Sequence, residues 1–523
     1  MDTAPDPPGR PDELALWAHH FPVAALSRAT SSELIPGNAI SLQFDGPATF
    51  ETWIEAIEKA ERSVHFENYV VRNDRTGTRF RDAMVERARA GVAVHVLYDW
   101  VGCWATPRRY WKPLVQAGAQ VRAFNRPALR DPLRVLQRDH RKLVCVDGQV
   151  AYVGGFCVGD EWAGKDGAPP WRDTGVEIRG PAAAAAGATF ERAWASMGSP
   201  VAEENRTEGL TVPEAGESAV WVIQGQPWRS RVYRATQLIA ASAKQTLWIT
   251  DPYFVAPRPV SEALAAAARD GVDVRILVPA HNNWPWVGSL SRGGYRALLR
   301  SGARIFEWQG PMIHAKTMVA DGCWCRIGSS NLNWSSLLGN WEIDIAVLDH
   351  ALAGQLEGLF LADLATAVEI VLPGSRSPVA SAEVAEAAAT SLEPQEPLHQ
   401  RLHLWRTRTP GSGLTVADVV RAGSTLGDAL AGSRLLGRED RTVLGTVATS
   451  LLIAGVVAAS FPRITGWVLA AILVWLGASM GIRALAQRRL ARQERNAEPA
   501  PGVEQVQEVG DPALPVHDEE GKQ

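Results

Sequence analysis

One short pattern occurs twice in the 523-residue chain and constrains its fold more than any other feature. His140, Lys142 and Asp147 stand in the spacing H-x-K-x-x-x-x-D within "HRKLVCVDG", and His314, Lys316 and Asp321 repeat it within "HAKTMVADG". Lysine is scarce, 7 of 53 basic residues, so two of the seven falling in these motifs is a strong concentration. The surroundings repeat too. "SVHFENYVV" (63–71), "FRDAMVERARAG" (80–91), "VAVHVLYDW" (92–100) and "LVQAGAQVRAFN" (114–125) are answered by "QTLWITDPYFV" (245–255), "VSEALAAAARDG" (260–271), "VDVRILVPA" (272–280) and "LLRSGARIFEW" (298–308). A period of roughly 160 residues is too long for a solenoid unit and suits a duplicated α/β domain. Strands alternating with helices predict a largely parallel sheet in each copy.

The rest of the chain divides around this pair. We expect a leader over 1–38, a first repeat over 39–200, a polar linker over 201–218 and a second repeat over 219–372. A linker and juxtamembrane region (373–440), an apolar hairpin (443–482) and a basic, then acidic, tail (483–523) follow. Hydrophobic content of 46% and charge of 21% describe a globular protein, and a net charge of −4 gives no push toward nucleic acid. Five cysteines without a framework spacing predict no structural disulfides, and Cys323-x-Cys325 lacks the second pair that a zinc site needs. The N-terminus has no basic segment followed by an apolar run, so it does not read as a signal peptide.

Residues 443–461 and 464–482 are two uncharged runs separated by Pro462 and Arg463. Each helix would reach about 28 Å, enough to cross a bilayer's hydrocarbon, although a buried core hairpin would have the same composition. Arg434, Arg438 and Arg441 precede the pair, and Arg483, Arg488, Arg489, Arg492 and Arg495 follow it. That bias puts both ends, and the region before them, on the cytoplasmic side.

On a strand, i and i+2 face one side, so each His and Lys project together while Arg141 and Ala315 point away. An ammonium beside an imidazole suits a phosphate oxygen, and the Gly328–Asn331 turn, with Ser329 and Asn331, offers further donors. Two copies meeting about a pseudo-twofold would set two histidines on opposite sides of one phosphorus. One attacks and the other protonates the leaving oxygen, with no metal and no cofactor. The competing reading is a pair of strand-end histidines satisfied in the core.

These motifs resemble the phospholipase D superfamily over residues 39–365, and bacterial cardiolipin synthases in particular. "HRKLVCVDGQVAYVGG", "WRDT" (171–174), "DPYFV" (251–255), "GVDVRILVP" (271–279), "IHAKTMVADG" (313–322) and "GSSNLNWSS" (328–336) carry the likeness. The resemblance implies an α/β fold of two mixed sheets flanked by helices and related by a pseudo-twofold, sharing one active site. It makes His140 the nucleophile and His314 the general acid/base, with Lys142, Lys316, Ser329 and Asn331 on the phosphate. Asp147 and Asp321 complete the catalytic motifs and are expected to brace strand and turn. It further implies that each histidine is oriented by a carboxylate later in the chain, for which Asp173, 33 residues after His140, and Glu342, 28 after His314, are the candidates.

Two departures stand out. The expected Gly-Gly-x-Asn reads Gly154-Gly155-Phe156-Cys157, and Asn-Leu-Asp-x-Arg-Ser reads Asn331-Leu332-Asn333-Trp334-Ser335-Ser336. The function implied is a membrane-tethered phosphatidyltransferase of bacterial inner membranes, working on phospholipids such as phosphatidylglycerol through a phosphohistidine. A hydrolase of phospholipids, a nuclease and an inactive scaffold are the alternatives. Nucleic acid is not an expected partner, and oligomeric state is not readable.

Overall fold

The structure, a computed structural model, describes residues 21–127 and 136–372, apart from 166, 228 and 230, together with isolated positions 456, 460, 466, 467, 474 and 475. No described helix is long and apolar enough to cross a membrane. The expected hairpin over 443–482 lies, those isolated positions aside, outside the described residues.

The first copy contributes β1 (Leu34–Gln43), β2 (Ser63–Asn68), β3 (Ala93–Asp99), β4 (Gln120–Phe124), β5 (Lys142–Val146), β6 (Val150–Gly154) and β7 (Gly175–Arg179). The second contributes β8 (Ser218–Gly225), β9 (Thr246–Thr250), β10 (Asp273–Pro279), β11 (Arg304–Trp308), β12 (Thr317–Ala320), β13 (Trp324–Gly328) and β14 (Glu342–Leu348), with β15 (Ala367–Ile370) added at the edge. The order across the sheet is β15-β11-β10-β9-β12-β13-β14-β8-β1-β7-β6-β5-β2-β3-β4. Apart from β15, the two halves match strand for strand about the antiparallel β1–β8 pair.

Two expectations are corrected here. The strands form one continuous sheet of 15, not two, because β1 pairs with β8 through Leu34–Asn38 and with β7 through Ala39–Gln43. The switch falls at Pro36 and Gly37, where the register with β8 shifts and Gly37 takes φ +80. Proline cannot donate to a ladder, so a strand carrying one there changes partners cheaply. The sheet is mixed, as the resemblance implies, and not largely parallel as the alternation of strands and helices predicts: only β2-β3-β4 and β9-β10-β11 run parallel. The hairpins β5–β6 and β12–β13 oppose them because each motif turns at once on an Asp-Gly pair. Within the segment expected as a leader, Val23–Thr30 is helical and β1 begins at Leu34.

Alternation along the strands builds the layers. Leu143 and Cys145 of β5, with Val319 of β12, enter one core that spans both halves under the helices Pro181–Ser196 and His350–Leu364. Val144 and Val146 face a second core, roofed by the helices Gly46–Glu58, Arg75–Arg89 and Arg108–Gln116, while Met318 and Ala320 face a third. Lys142 shares parity with Val144, and Lys316 with Met318, so both lysines sit on the outer-core side of the sheet. The helices start where aspartates cap them: Asp45, Asp74 and Asp349 accept from Ala48, Gly77 and Leu352 N–H at 3.0, 2.8 and 2.9 Å.

Candidate active site

Each motif histidine stands just before a strand, β5 or β12, at the carboxyl end of the parallel strands. Lys142 lies opposite Asn68, the last residue of β2, and Thr317 opposite Thr250, the last of β9. Four backbone bonds then stitch the copies together. His140 N–H donates to Trp341 C=O (2.9 Å) and Trp341 N–H to Arg138 C=O (2.7 Å); His314 N–H donates to Arg172 C=O (2.6 Å) and Arg172 N–H to Met312 C=O (3.0 Å). Trp341 and Arg172 each precede a carboxylate, Glu342 and Asp173. Each bridge therefore delivers one copy's carboxylate to the other copy's histidine.

The pairs are crossed. His140 Nδ1 lies 3.0 Å from Glu342 Oε2 and 3.1 Å from Ser329 C=O, and His314 Nδ1 lies 2.7 Å from Asp173 Oδ2. This corrects the spacing-based pairing of Asp173 with His140 and Glu342 with His314. With Nδ1–H donating to a carboxylate, Nε2 of each ring keeps its lone pair for the pocket.

The charged groups are buried together. Lys142 Nζ donates to His140 C=O and lies 5.2 Å from the Tyr69 ring centre. Lys316 Nζ donates to His314 C=O, stands 3.0 and 3.1 Å from the two ring nitrogens of His314, and lies 6.0 Å from the Tyr253 ring. Burial pushes His140 down to about 4 and His314 to about 3, against the pull of Glu342 and Asp173, with the lysines pushing the same way as burial. Burial also pulls Lys316 to about 8. For Asp173, burial raises the carboxyl, but His314, Lys316 and the Thr174 N–H outweigh it and hold it at about 2. Glu342 is likewise lowered, burial being overcome by His140, Lys142 and Ser329. At neutral pH the pocket thus sets two neutral imidazoles between the Asp173 and Glu342 carboxylates and the buried amines of Lys142 and Lys316.

The remaining predicted residues fall in two places. Ser329 turns its hydroxyl to Glu342 Oε2 and also accepts from Ile343 N–H at 3.0 Å, so its side chain serves the carboxylate. Asn331 donates to Ser336 Oγ at 3.3 Å, and its buried Oδ1 has no hydrogen-bond partner. Asp147 and Asp321 lie at the far ends of β5 and β12 from the histidines. Asp147 takes three backbone N–H groups from residues 61–63, and Asp321 takes three from residues 244–246, all at 2.8–3.0 Å. Both adopt positive φ, 55 and 50, followed by Gly148 and Gly322 at 72 and 60, the conformation of a tight two-residue hairpin. Cys157 is buried, its thiol pushed up by burial, and stands where the second copy has Asn331.

Sequence reasoning missed the aromatic lining. Trp162 and Trp171 lie 5.5 and 5.9 Å from the His314 ring, Tyr253 lies 5.9 Å away, and Tyr69 lies 4.8 Å from His140. Trp162 Nε1 also donates to Asp173 Oδ2 at 2.9 Å. The neighbouring "WRDT" was the available signal.

Known proteins match the same region. A family model described as the PLD-like domain of cardiolipin synthase matches residues 53–161 and 237–364. Cardiolipin synthase A of Pseudomonas aeruginosa (strain LESB58) is 33% identical over 360 residues, covering 68% of this chain and 72% of that protein. The cardiolipin synthase of Geobacillus sp. (strain WCH70) is 32% identical over 385 residues, covering 72% and 74%. Among solved structures, phosphatidylserine synthase of Haemophilus influenzae Rd KW20 shares the fold at a TM-score of 0.53 and 14% identity, over 66% of this chain and 91% of that one. Fold and site together define a phospholipase D-type enzyme, a phosphatidyltransferase or phosphodiesterase, made of two fused copies. Within that superfamily, the chain belongs to the cardiolipin synthase family.

Proposed function

We propose that the protein transfers a phosphatidyl group between phospholipids, as a cardiolipin synthase does, with phosphatidylglycerol as substrate. The observation that carries this is the crossed pair of histidines, each tied by the other copy's carboxylate beside a buried lysine. This arrangement supports a reading in which both halves act on one phosphorus. His140 Nε2 attacks the phosphodiester, the bond from phosphorus to the departing alcohol breaks, and protonated His314 gives that oxygen its proton. A phosphohistidine remains. His314, now neutral, takes the proton of an incoming hydroxyl, whose oxygen attacks phosphorus and frees His140.

Both imidazoles are neutral in the empty pocket, so a proton must arrive with the substrate. The phosphodiester anion supplies the reason: beside Lys142 and Lys316 it lowers the local positive potential and raises the histidine's proton affinity. The tether over 443–482 is part of this proposal and would hold the site at a membrane from its cytoplasmic side. No step needs a metal or cofactor.

Purified full-length protein given phosphatidylglycerol vesicles should yield cardiolipin and glycerol, resolved by mass. Phosphatidic acid in their place would make it a hydrolase. No lipid product, with oligonucleotides degraded, would sink the lipid reading.

A further inference from the structure

The first copy carries a basic, aromatic face next to the site that the transfer chemistry does not use. From Trp100 to Pro127 the chain has five basic residues, Arg108, Arg109, Lys112, Arg122 and Arg126, and no acidic one, although the whole protein is net −4. Arg108, Arg109 and Lys112 lie on the helix Arg108–Gln116, whose opposite side, Tyr110, Trp111 and Leu114, is buried. At i, i+1 and i+4 the three cations share one exposed stripe. Arg126 is exposed just after β4, which pairs with β3, and Tyr98 of β3 stacks on Trp111 of the helix at 4.1 Å. Arg108, Arg109, Lys112 and Arg126 have no carboxylate partner among the described residues. Asp82, on the neighbouring helix, is taken by Arg81 at 2.7 Å. Asp99 is buried on backbone N–H groups of Val101, Gly102 and Asp139.

An apolar side chain stands at the head of this stripe. Trp104 is 49% exposed on the loop between β3 and the helix. That loop is locked to the site: Val71 N–H donates to Cys103 Sγ at 3.2 Å, and a Cβ at Gly102 would meet Tyr69 C=O at 1.9 Å. Tyr69 is the ring against His140. A large exposed indole and three cations thus lie within one loop and one helix, with Arg126 just beyond β4 and the loop packed on Tyr69, the ring against His140.

We infer that this face seats the catalytic region on an anionic bilayer surface, Trp104 entering the headgroup layer and Arg108, Arg109, Lys112 and Arg126 binding lipid phosphates. The inference rests on phospholipid being the substrate. Indole at headgroup level with flanking cations is what a bilayer interface rewards, whereas a purely electrostatic partner has no use for the exposed ring. The consequence is functional, because it would bring Tyr69 and His140 to the depth at which lipid phosphates lie.

The five native cysteines are buried, so Ala105→Cys gives a single accessible thiol beside Trp104 for an environment-sensitive dye. Asp270→Cys, at the opposite end of the sheet, serves as the control. Both are made in full-length protein carrying His140→Ala, so that no lipid is consumed and docking is read independently of catalysis. Vesicles mixing phosphatidylglycerol with phosphatidylcholine should shift the dye at 105 and not at 270, and salt should weaken the effect. Replacing Arg108, Arg109 and Lys112 by Gln, with an unchanged melting temperature, should raise the lipid concentration needed by about 100-fold. A dye at 105 that does not respond, responds equally to phosphatidylcholine alone, ignores the three Gln substitutions, or shifts as strongly with dissolved oligonucleotides would overturn the inference. Failure of the transfer reading would appear separately, as missing product from the wild-type enzyme with the dye shift intact.

Discussion

Gly155 and Ser329 occupy matching positions after β6 and β13, and the space beside each is used differently. Ser329 directs its hydroxyl at Glu342, the carboxylate that holds His140. At Gly155 the corresponding space is filled by Asp173 itself, and a Cβ would meet Asp173 Oδ1 at 1.9 Å. Making the first copy more like the second is therefore harmful. Gly155→Ala should displace Asp173 from His314 and from Trp162, lowering kcat by roughly 100-fold or more while the fold survives. Steady-state kinetics with a thermal melt would check this; unchanged kcat would mean that Asp173 can orient His314 from another position. The same asymmetry appears at Cys157, a buried thiol pushed up by burial where the second copy has the amide of Asn331.

At the scale of elements, the start of β5 is fixed by a buried ion cluster that the second copy lacks. Arg141 donates to Glu67 at 2.6 Å and to Asp139 at 3.2 Å, and reaches Thr189 C=O at 3.0 Å, where the second copy has Ala315, Thr250 and Ile313. Burial already pushes Glu67 well up, against the pull of Arg141. Arg141→Ala would leave two buried acids unpaired and should cost about 3–5 kcal/mol in urea unfolding. A loss under about 1 kcal/mol would show that the acids simply take up protons. Elements like these were legible to different degrees. The repeat, its alternating strands and the His-Lys parity are local patterns, and a sequence displays them directly. The crossing was not legible, because it depends on backbone pairs such as Asp139 with Trp341 and Arg172 with Ile313, far apart in the chain. Spacings of 28 and 33 residues favoured the nearer histidine. β1 was hidden by its own Pro36-Gly37 interruption, and Trp162 and Trp171 were two among 20 tryptophans.

At the scale of the whole molecule, four histidines among the described residues are buried neutral. Burial holds His65 and His314 at about 3 and His95 and His140 at about 4, below the ordinary 6.5. Below pH 6.5 the unfolded chain binds protons that the native protein refuses. The stability is therefore complete above pH 6.5 and falls as pH drops toward 4, by about 2 kcal/mol per histidine at pH 5. Asp99 and Asp251 act in the opposite direction. Burial raises them to about 6, so the native state takes their protons first, returning about 1 kcal/mol each at pH 5. Glu67, Asp344 and Asp363, also raised by burial, act the same way as these two aspartates, so the rings themselves are the test. Proton NMR of the imidazoles should show these four unprotonated at pH 5; rings that titrate near 6.5 would contradict their burial.

The central claim is that two halves make one site, with His140 attacking and Glu342, from the other half, preparing it. Rapid acid-free quenching of the enzyme with phosphatidylglycerol, then peptide mass mapping, tests it most directly. A phosphatidyl adduct should appear on the peptide holding His140, persist and accumulate in His314→Asn, and fall roughly 100- to 10,000-fold in rate in Glu342→Gln. An adduct on His314, or one on His140 that forms at the normal rate in Glu342→Gln, would contradict the account.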